Sequence, residues 1–284
     1  MKSILDKVLW KVGFYGQIPS PPVRVGIDGP YASLHDAPRY QPAVLRLDDH
    51  EFEVADGFSF YWMHKEIYID EVYRFLPCHP RPYIIDCGAN YGVSVLWFKR
   101  MYPDCRILAV EADPGIYDML RRNVNRHGLS DVTLIHRAVS GALGDVRFQC
   151  IGADSSRVYV DRESGDGSGV PIINVPAVLL DELIGDEEVD FLKIDIEGSE
   201  LDAIRSSHKL GQVRQMFIEY HSFIHQPQQL STLLSILELA GFRYYLNRIY
   251  APRNPYLEIT ANQSMDLQLS IFATRFQSDQ VGAV

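Results

Sequence analysis

The sequence predicts an α/β fold on a mostly parallel sheet, with an antiparallel pair at one edge, a small N-terminal subdomain and an inserted β-hairpin. Three observations carry that prediction. An apolar run, Tyr83-Ile-Ile-Asp-Cys87, leads into a glycine turn, Gly88-Ala-Asn-Tyr-Gly92, and at once into helical spacing over Val93–Met101. Short apolar strands then alternate with helical patterns, the rhythm of right-handed β-α-β crossovers. Between Gly144 and Val178 the rhythm breaks into alternating, antiparallel-like segments, and the last two strands are joined by a loop instead of a helix.

With 284 residues, 46% of them hydrophobic and 23% charged, the chain can bury one α/β core and carry an added subdomain. A formal charge of −10 argues against a duplex nucleic-acid partner, which wants a basic face. The 4 cysteines, Cys78, Cys87, Cys105 and Cys150, show neither C-x-x-C spacing nor disulfide-framework density, and read as reduced thiols of a cytoplasmic protein. Met1–Gly16 scatters Lys2, Lys7 and Lys11 among apolar residues. It reads as a short amphipathic helix with a face for the protein body or for a second copy in a homo-oligomer. No stretch has signal-peptide or membrane-span character.

In chain order, the prolines from Pro19 to Pro42 exclude helix and central strand. Ala43–Val54 alternates about Asp48-Asp49-His50 like a hairpin. Trp62–Phe75 reads as two short helical pieces. After the glycine turn, Arg106–Val110 is a second strand ending at Glu111. Ile116 to Val124 has helical spacing closed by His127-Gly128. Val132–Ile135 is a third strand, running on to Arg137-Ala-Val-Ser140. In the insertion, Asp145–Cys150 and Arg157–Val160 alternate, Ser164–Gly169 reads as a flexible loop, and Val170–Val178 is β-branched. Val189–Ile194 is a strand ending in Asp195-Ile-Glu-Gly-Ser-Glu200, with a helix from near Ser199. Gln215–Ile218 ends in Glu219-Tyr-His221 and a loop to Pro227. Leu230–Leu237 is a helix stopped by Gly241, and Phe242–Leu246 with Leu267–Thr274 makes the antiparallel edge pair.

A strand, a tight glycine turn and a helix together hold nucleotide-like ligands. The dinucleotide fingerprint G-x-G-x-x-G is not met: Asn90 stands at the middle glycine, and Gly92 comes one residue early. S-adenosylmethionine has no phosphate, so its turn tolerates side chains, and it is the expected cofactor. Gly88, Ala89, Asn90 and Gly92 would cradle it, with Ser94 in the first helical turn. Asp86 would meet its α-amino group; the plainer role of Asp86 is to organise the turn. Glu111, 19 residues after Gly92, is placed to accept hydrogen bonds from both ribose hydroxyls. Ala112, Arg137 and Ala138 would flank ribose and adenine, and Glu66 with Tyr73 would close over the amino-acid end.

Asp86-Cys-Gly-Ala-Asn-Tyr-Gly92, Glu111-Ala-Asp-Pro114, Asn123-x-Asn125, Ala138-Val-Ser140, Leu180-Asp-Glu-Leu183 and Lys193-Ile-Asp-Ile-Glu-Gly198 resemble the FkbM-type methyltransferases, over roughly Glu66 to Thr274. The resemblance implies a Rossmann-like class I methyltransferase fold with a mostly parallel seven-stranded sheet. It also implies S-adenosylmethionine and, usually, O-methylation of sugar, polyketide or other natural-product hydroxyls.

Methyl transfer to oxygen is an in-line displacement that needs alignment and a proton acceptor for the hydroxyl. Asp195 ends the strand expected beside the glycine-turn strand, and His221 follows the next one. These two, with Glu197, are the catalytic candidates; for both carboxylates a cap or turn role is the plainer one. Glu200 reads as a helix-dipole or capping partner. Lys193, inside a central strand, needs a carboxylate partner; with Glu219, Ser155 and Ser156 it is a substrate-contact candidate. No metal is expected, because no Asp-Asn pair follows the fifth strand. The reading is a cytoplasmic O-methyltransferase of a small or glycosidic hydroxyl, without nucleic-acid partner or membrane span. Residues 1–80 form the N-terminal subdomain and 81–284 the donor-binding domain, with the insertion at about 144–178. Its rivals are a nicotinamide-dependent oxidoreductase and a non-catalytic binding protein on the same fold.

Overall fold

The computed structural model describes residues 31–47, 50–151, 156–159, 171–257 and 264–275. The expected N-terminal helix, much of the proline-rich segment, Ser155 and the loop Ser164–Gly169 lie outside the described residues.

The hairpin is β1 (Ala43–Leu47) against β2 (His50–Val54), with Leu45 opposite Phe52. α1 (Gly57–His64) follows and continues into a π-helical turn, Lys65–Ile69. This helical region begins at Gly57, ahead of the expected Trp62–Phe75, and covers its first piece, through Ile69, but not its second. Asp56 sets its start by accepting the Ser59 N–H at 2.6 Å, and Glu71, at φ 52, lies just beyond its end. Val72, Tyr73 and Phe75 therefore belong to a connecting loop.

β3 (Tyr83–Cys87), α2 (Val93–Met101), β4 (Arg106–Glu111), α3 (Pro114–Arg126) and β5 (Val132–His136) alternate as the periodicity requires. The insertion is larger than a hairpin. β6 (Ala138–Val139), β7 (Asp145–Gln149), β8 (Arg157–Val158) and β9 (Ile172–Val178) form a four-stranded sheet in the order β6-β9-β7-β8. Then come α4 (Leu180–Ile184), β10 (Val189–Ile194), α5 (Glu200–Ser206), β11 (Val213–Phe223), α6 (Leu230–Leu239), β12 (Arg243–Tyr250) and β13 (Met265–Thr274).

The main sheet has seven strands in the order β12-β13-β11-β10-β3-β4-β5. Pairing is parallel from β5 through β11, and β13 runs antiparallel to both β11 and β12. Ile84 faces one apolar cluster with Trp97, Phe98 and, from the N-terminal elements, Phe52 and Phe60. Ile85 faces the other, with Leu192, Ile204 and Leu233. A strand covered on both faces reads as an unbroken apolar run, as Tyr83–Ile85 does.

One departure positions the site. β11 was expected to end near Ile218, where its pairing with β10 does end (Ile194 opposite Ile218). Antiparallel pairing with β13 carries it on to Phe223, so Glu219 and His221 belong to the strand and His221 lies opposite Gln268. Beyond Ile218 one edge of β11 faces the loop that leaves β10.

Candidate functional site

A cavity of about 1030 Å³ opens at the carboxyl ends of β3, β4 and β10. The order β10-β3-β4 makes this the topological switch point, where such sheets bind ligands.

One end of the cavity is built from backbone. Gly88, Asn90 and Gly92 have φ of 82°, 50° and 93°. A Cβ on Gly88 would lie 1.8 Å from the Asp195 carbonyl oxygen, so only glycine fits. Every amide of the turn is engaged within the protein. Gly88 and Ala89 donate to Val110 O, Asn90 to Glu111 Oε2, Tyr91 to Asn90 Oδ1, and Gly92 to Ala89 O. Glu111 also accepts from Ala112 and Asp113 N–H at 2.8 Å each. Burial outweighs these hydrogen bonds and pushes its carboxyl up to about 7. Asp113 caps α3 through Oδ1, and its Oδ2 accepts the Ser156 hydroxyl at 2.9 Å, tying the insertion to this end.

The other end is a floor of charged side chains. Lys193 Nζ donates to Gly88 O at 2.8 Å and lies 3.3 Å from both Asp86 Oδ1 and Asp195 Oδ2. Burial alone would lower this ammonium's pKa; the two carboxylates prevail and raise it. The partner expected for a mid-strand lysine is therefore double. Burial, and then the charge of Glu219, raises the Asp195 carboxyl above its ordinary value. Burial together with Glu219 and Asp195 pushes Glu66 up to about 8, which groups Glu66 with this floor. Asp195, Glu197 and His221 each bring a polar atom within 4.8 Å of the other two.

The cavity gathers Gly88, Ala89, Asn90, Ser94, Glu111, Ala112, Arg137 and Ala138 along one side. It brings Glu66, Lys193, Asp195, Glu197 and Glu219 to the other, with Ser156 on the insertion. Three expected residues do not line it. Asp86 is 0% exposed and accepts the Ser94 hydroxyl at 2.5 Å behind the turn, its plainer role. Gly92 lies behind it as well, against Leu120. His221, expected on a loop, has a side chain 1% exposed beneath Glu197 and Glu219.

The family model described as the methyltransferase FkbM domain matches residues 86–244. The chain belongs to the FkbM methyltransferase family. "Methyltransferase 1" of Beauveria bassiana is 29% identical over 185 residues, covering 55% of this chain and 74% of the relative. The "AMB antimetabolite synthetase AmbE" of Pseudomonas aeruginosa is 28% identical over 202 residues, 56% of this chain and 9% of that synthetase. Among solved structures, a methyltransferase FkbM from Methylobacillus flagellatus KT is 18% identical, with a TM-score of 0.45, covering 76% of this chain and 53% of that one.

In this FkbM methyltransferase some cavity residues carried no local signal. Phe58, Trp62 and Met63 of α1 form one wall, and Phe148 and Val158 of the insertion another. Gln268, which donates to Glu219 Oε1, enters through the register of β13, and nothing around it in the sequence marks it. No helix among the described residues is long and apolar enough to cross a membrane.

Proposed function

We propose that the chain is an S-adenosylmethionine-dependent O-methyltransferase whose acceptor is a hydroxyl of a sugar, polyketide or similar natural product. The engaged turn amides carry the choice of donor. A pyrophosphate needs free backbone N–H groups at this turn, and here all five amides from Gly88 to Gly92 already donate within the protein. A donor without phosphate fits a turn whose own amides are already engaged. Glu111, braced by three backbone N–H groups, would accept from the ribose hydroxyls, with Ala112, Arg137 and Ala138 around the nucleoside. When bound, the donor supplies an electrophilic methyl group on a sulfonium.

The residues on the floor do the rest. Asp195 lines the cavity, and its raised pKa makes it a better proton acceptor than an ordinary aspartate. It takes the acceptor's hydroxyl proton on a carboxylate oxygen while Lys193 holds it in place. Glu197, Glu219 and Ser156 orient the acceptor; the segments before residue 80 and the insertion decide which acceptor enters. A relative named as an antimetabolite synthetase supports the natural-product class. The four cysteines are free, which supports a reducing, cytoplasmic setting.

Calorimetry tests the donor half. S-adenosylhomocysteine should bind, NAD should not, and Glu111→Ala should bind S-adenosylhomocysteine at least tenfold more weakly. Binding of NAD, or equal affinity in Glu111→Ala, sinks the assignment. Donor binding with no turnover on any hydroxyl acceptor would leave a non-catalytic binding protein.

A further inference from the structure

Beneath the cavity floor lies a buried pair, Glu200 and His221, with side chains 2% and 1% exposed. Glu200 Oε1 accepts the N–H groups of Ile196 at 3.2 Å and Gly198 at 2.9 Å, and faces His221 Nδ1 at 3.0 Å. On the far side of the ring, Nε2 lies 3.5 Å from Glu219 Oε1 and 3.7 Å from Glu197 Oε2. Gln268 Nε2 donates to the same Glu219 oxygen and stands 3.4 Å from His221 Nε2. Each ring nitrogen thus faces carboxylate, which favours a ring carrying both N–H groups over a neutral ring whose Nε2 accepts from the Gln268 amide.

We propose that Glu200 and His221 form a buried positioning pair that holds Glu197 and Glu219 in their cavity-facing places. This rests on the reading of that floor as the acceptor's seat. The pair sits where the backbone ladder stops. Past Ile218, β11 has lost β10 as a neighbour, while the loop bearing Asp195 and Glu197 runs alongside it. Glu200 anchors that loop through its backbone, and His221 stands on β11 two residues from Glu219. A single carboxylate oxygen therefore joins the two segments that carry the floor. The charges facing His221 are those of Glu200 on α5, Glu197 and Asp195 on the loop, and Glu219 on its own strand. Burial would lower the imidazole's pKa, but Glu197 and Glu200 outweigh it and raise it well above the ordinary value.

The test needs no acceptor: a pH titration by NMR of protein labelled with 15N-histidine, with His221→Gln to assign the signal. At pH 7.5 the wild-type ring should carry both N–H groups. Glu200→Gln keeps an oxygen for the loop amides but removes the counter-charge. It should lower the His221 midpoint by about one unit, a tenfold loss of proton affinity, with S-adenosylhomocysteine affinity held within twofold. A neutral wild-type ring at pH 7.5, or an unmoved midpoint, overturns the proposal. Should Glu200→Gln fail to fold, Glu219→Gln must lower the midpoint instead, and no change there overturns it equally. On any acceptor the wild type turns over, Glu200→Gln should lose kcat tenfold or more at unchanged donor KM, and equal kcat removes the positioning role. Failure of the wild type to bind S-adenosylhomocysteine would count against the proposed function while leaving the titration readable.

Discussion

The two ends of the cavity are held by opposite means. At the Glu111 end, a carboxylate is fixed by backbone N–H groups of Asn90, Ala112 and Asp113. At the Asp195 end, carboxylates are fixed by side chains from separate elements: Lys193 on β10, His221 on β11 and Gln268 on β13. A backbone-held site is set by the path of the chain and admits no added atom at its tightest point. A side-chain-held floor can be retuned one residue at a time without redrawing the path of the chain.

The largest expected effect comes from filling the tight point. Gly88→Ala meets the Asp195 carbonyl at 1.8 Å and forces alanine to φ +82°. It should cost about 3 kcal/mol or more of stability and abolish binding of S-adenosylhomocysteine. A melting curve superimposable on wild type would break the contrast between the two ends. Next, Asp195→Asn should leave donor affinity within twofold while methyl transfer falls roughly 10²- to 10⁴-fold. An equal loss of donor binding would show that the two ends are not separable.

A smaller effect belongs to pH. The Glu111 carboxyl is raised in the folded protein from 4.5 to about 7, so between those values the folded state holds a proton that the unfolded state has released. Stability should therefore fall as pH rises through that window, by at most ~1.4 kcal/mol per unit. Glu111→Gln should flatten the slope of Tm against pH between 5 and 7, and identical slopes would refute the assignment. The smallest effect is expected at Ser156→Ala, which removes one hydrogen bond between the insertion and Asp113. Stability should drop by ~0.5–1.5 kcal/mol with donor affinity held within twofold, measured by thermal melts and calorimetry.

The same contrast explains what was legible beforehand. The turn, Glu111 and the neighbouring strands lie within one β-α-β unit, where local pattern and tertiary position coincide. Strand bounds such as Val189–Ile194, and the α2 bounds Val93–Met101, could be read directly. The helix before the turn was read too late at both ends because its start depends on the Asp56 cap and its packing, which hydrophobic spacing alone does not reveal. Glu200 read as a helix cap because its two backbone N–H partners are local; its third partner, His221, is not.

By itself the sequence determined the α/β class, the alternation of strands and helices and the glycine turn, because apolar periodicity and glycine geometry act over a few residues. Tertiary structure alone decided which carboxylates share a cavity, that Asp86 and His221 lie behind it, and that β13 extends β11 past Ile218. Those outcomes depend on register between distant strands and on burial. A side chain's protonation and aim follow from neighbours that only the folded chain brings within a few ångströms.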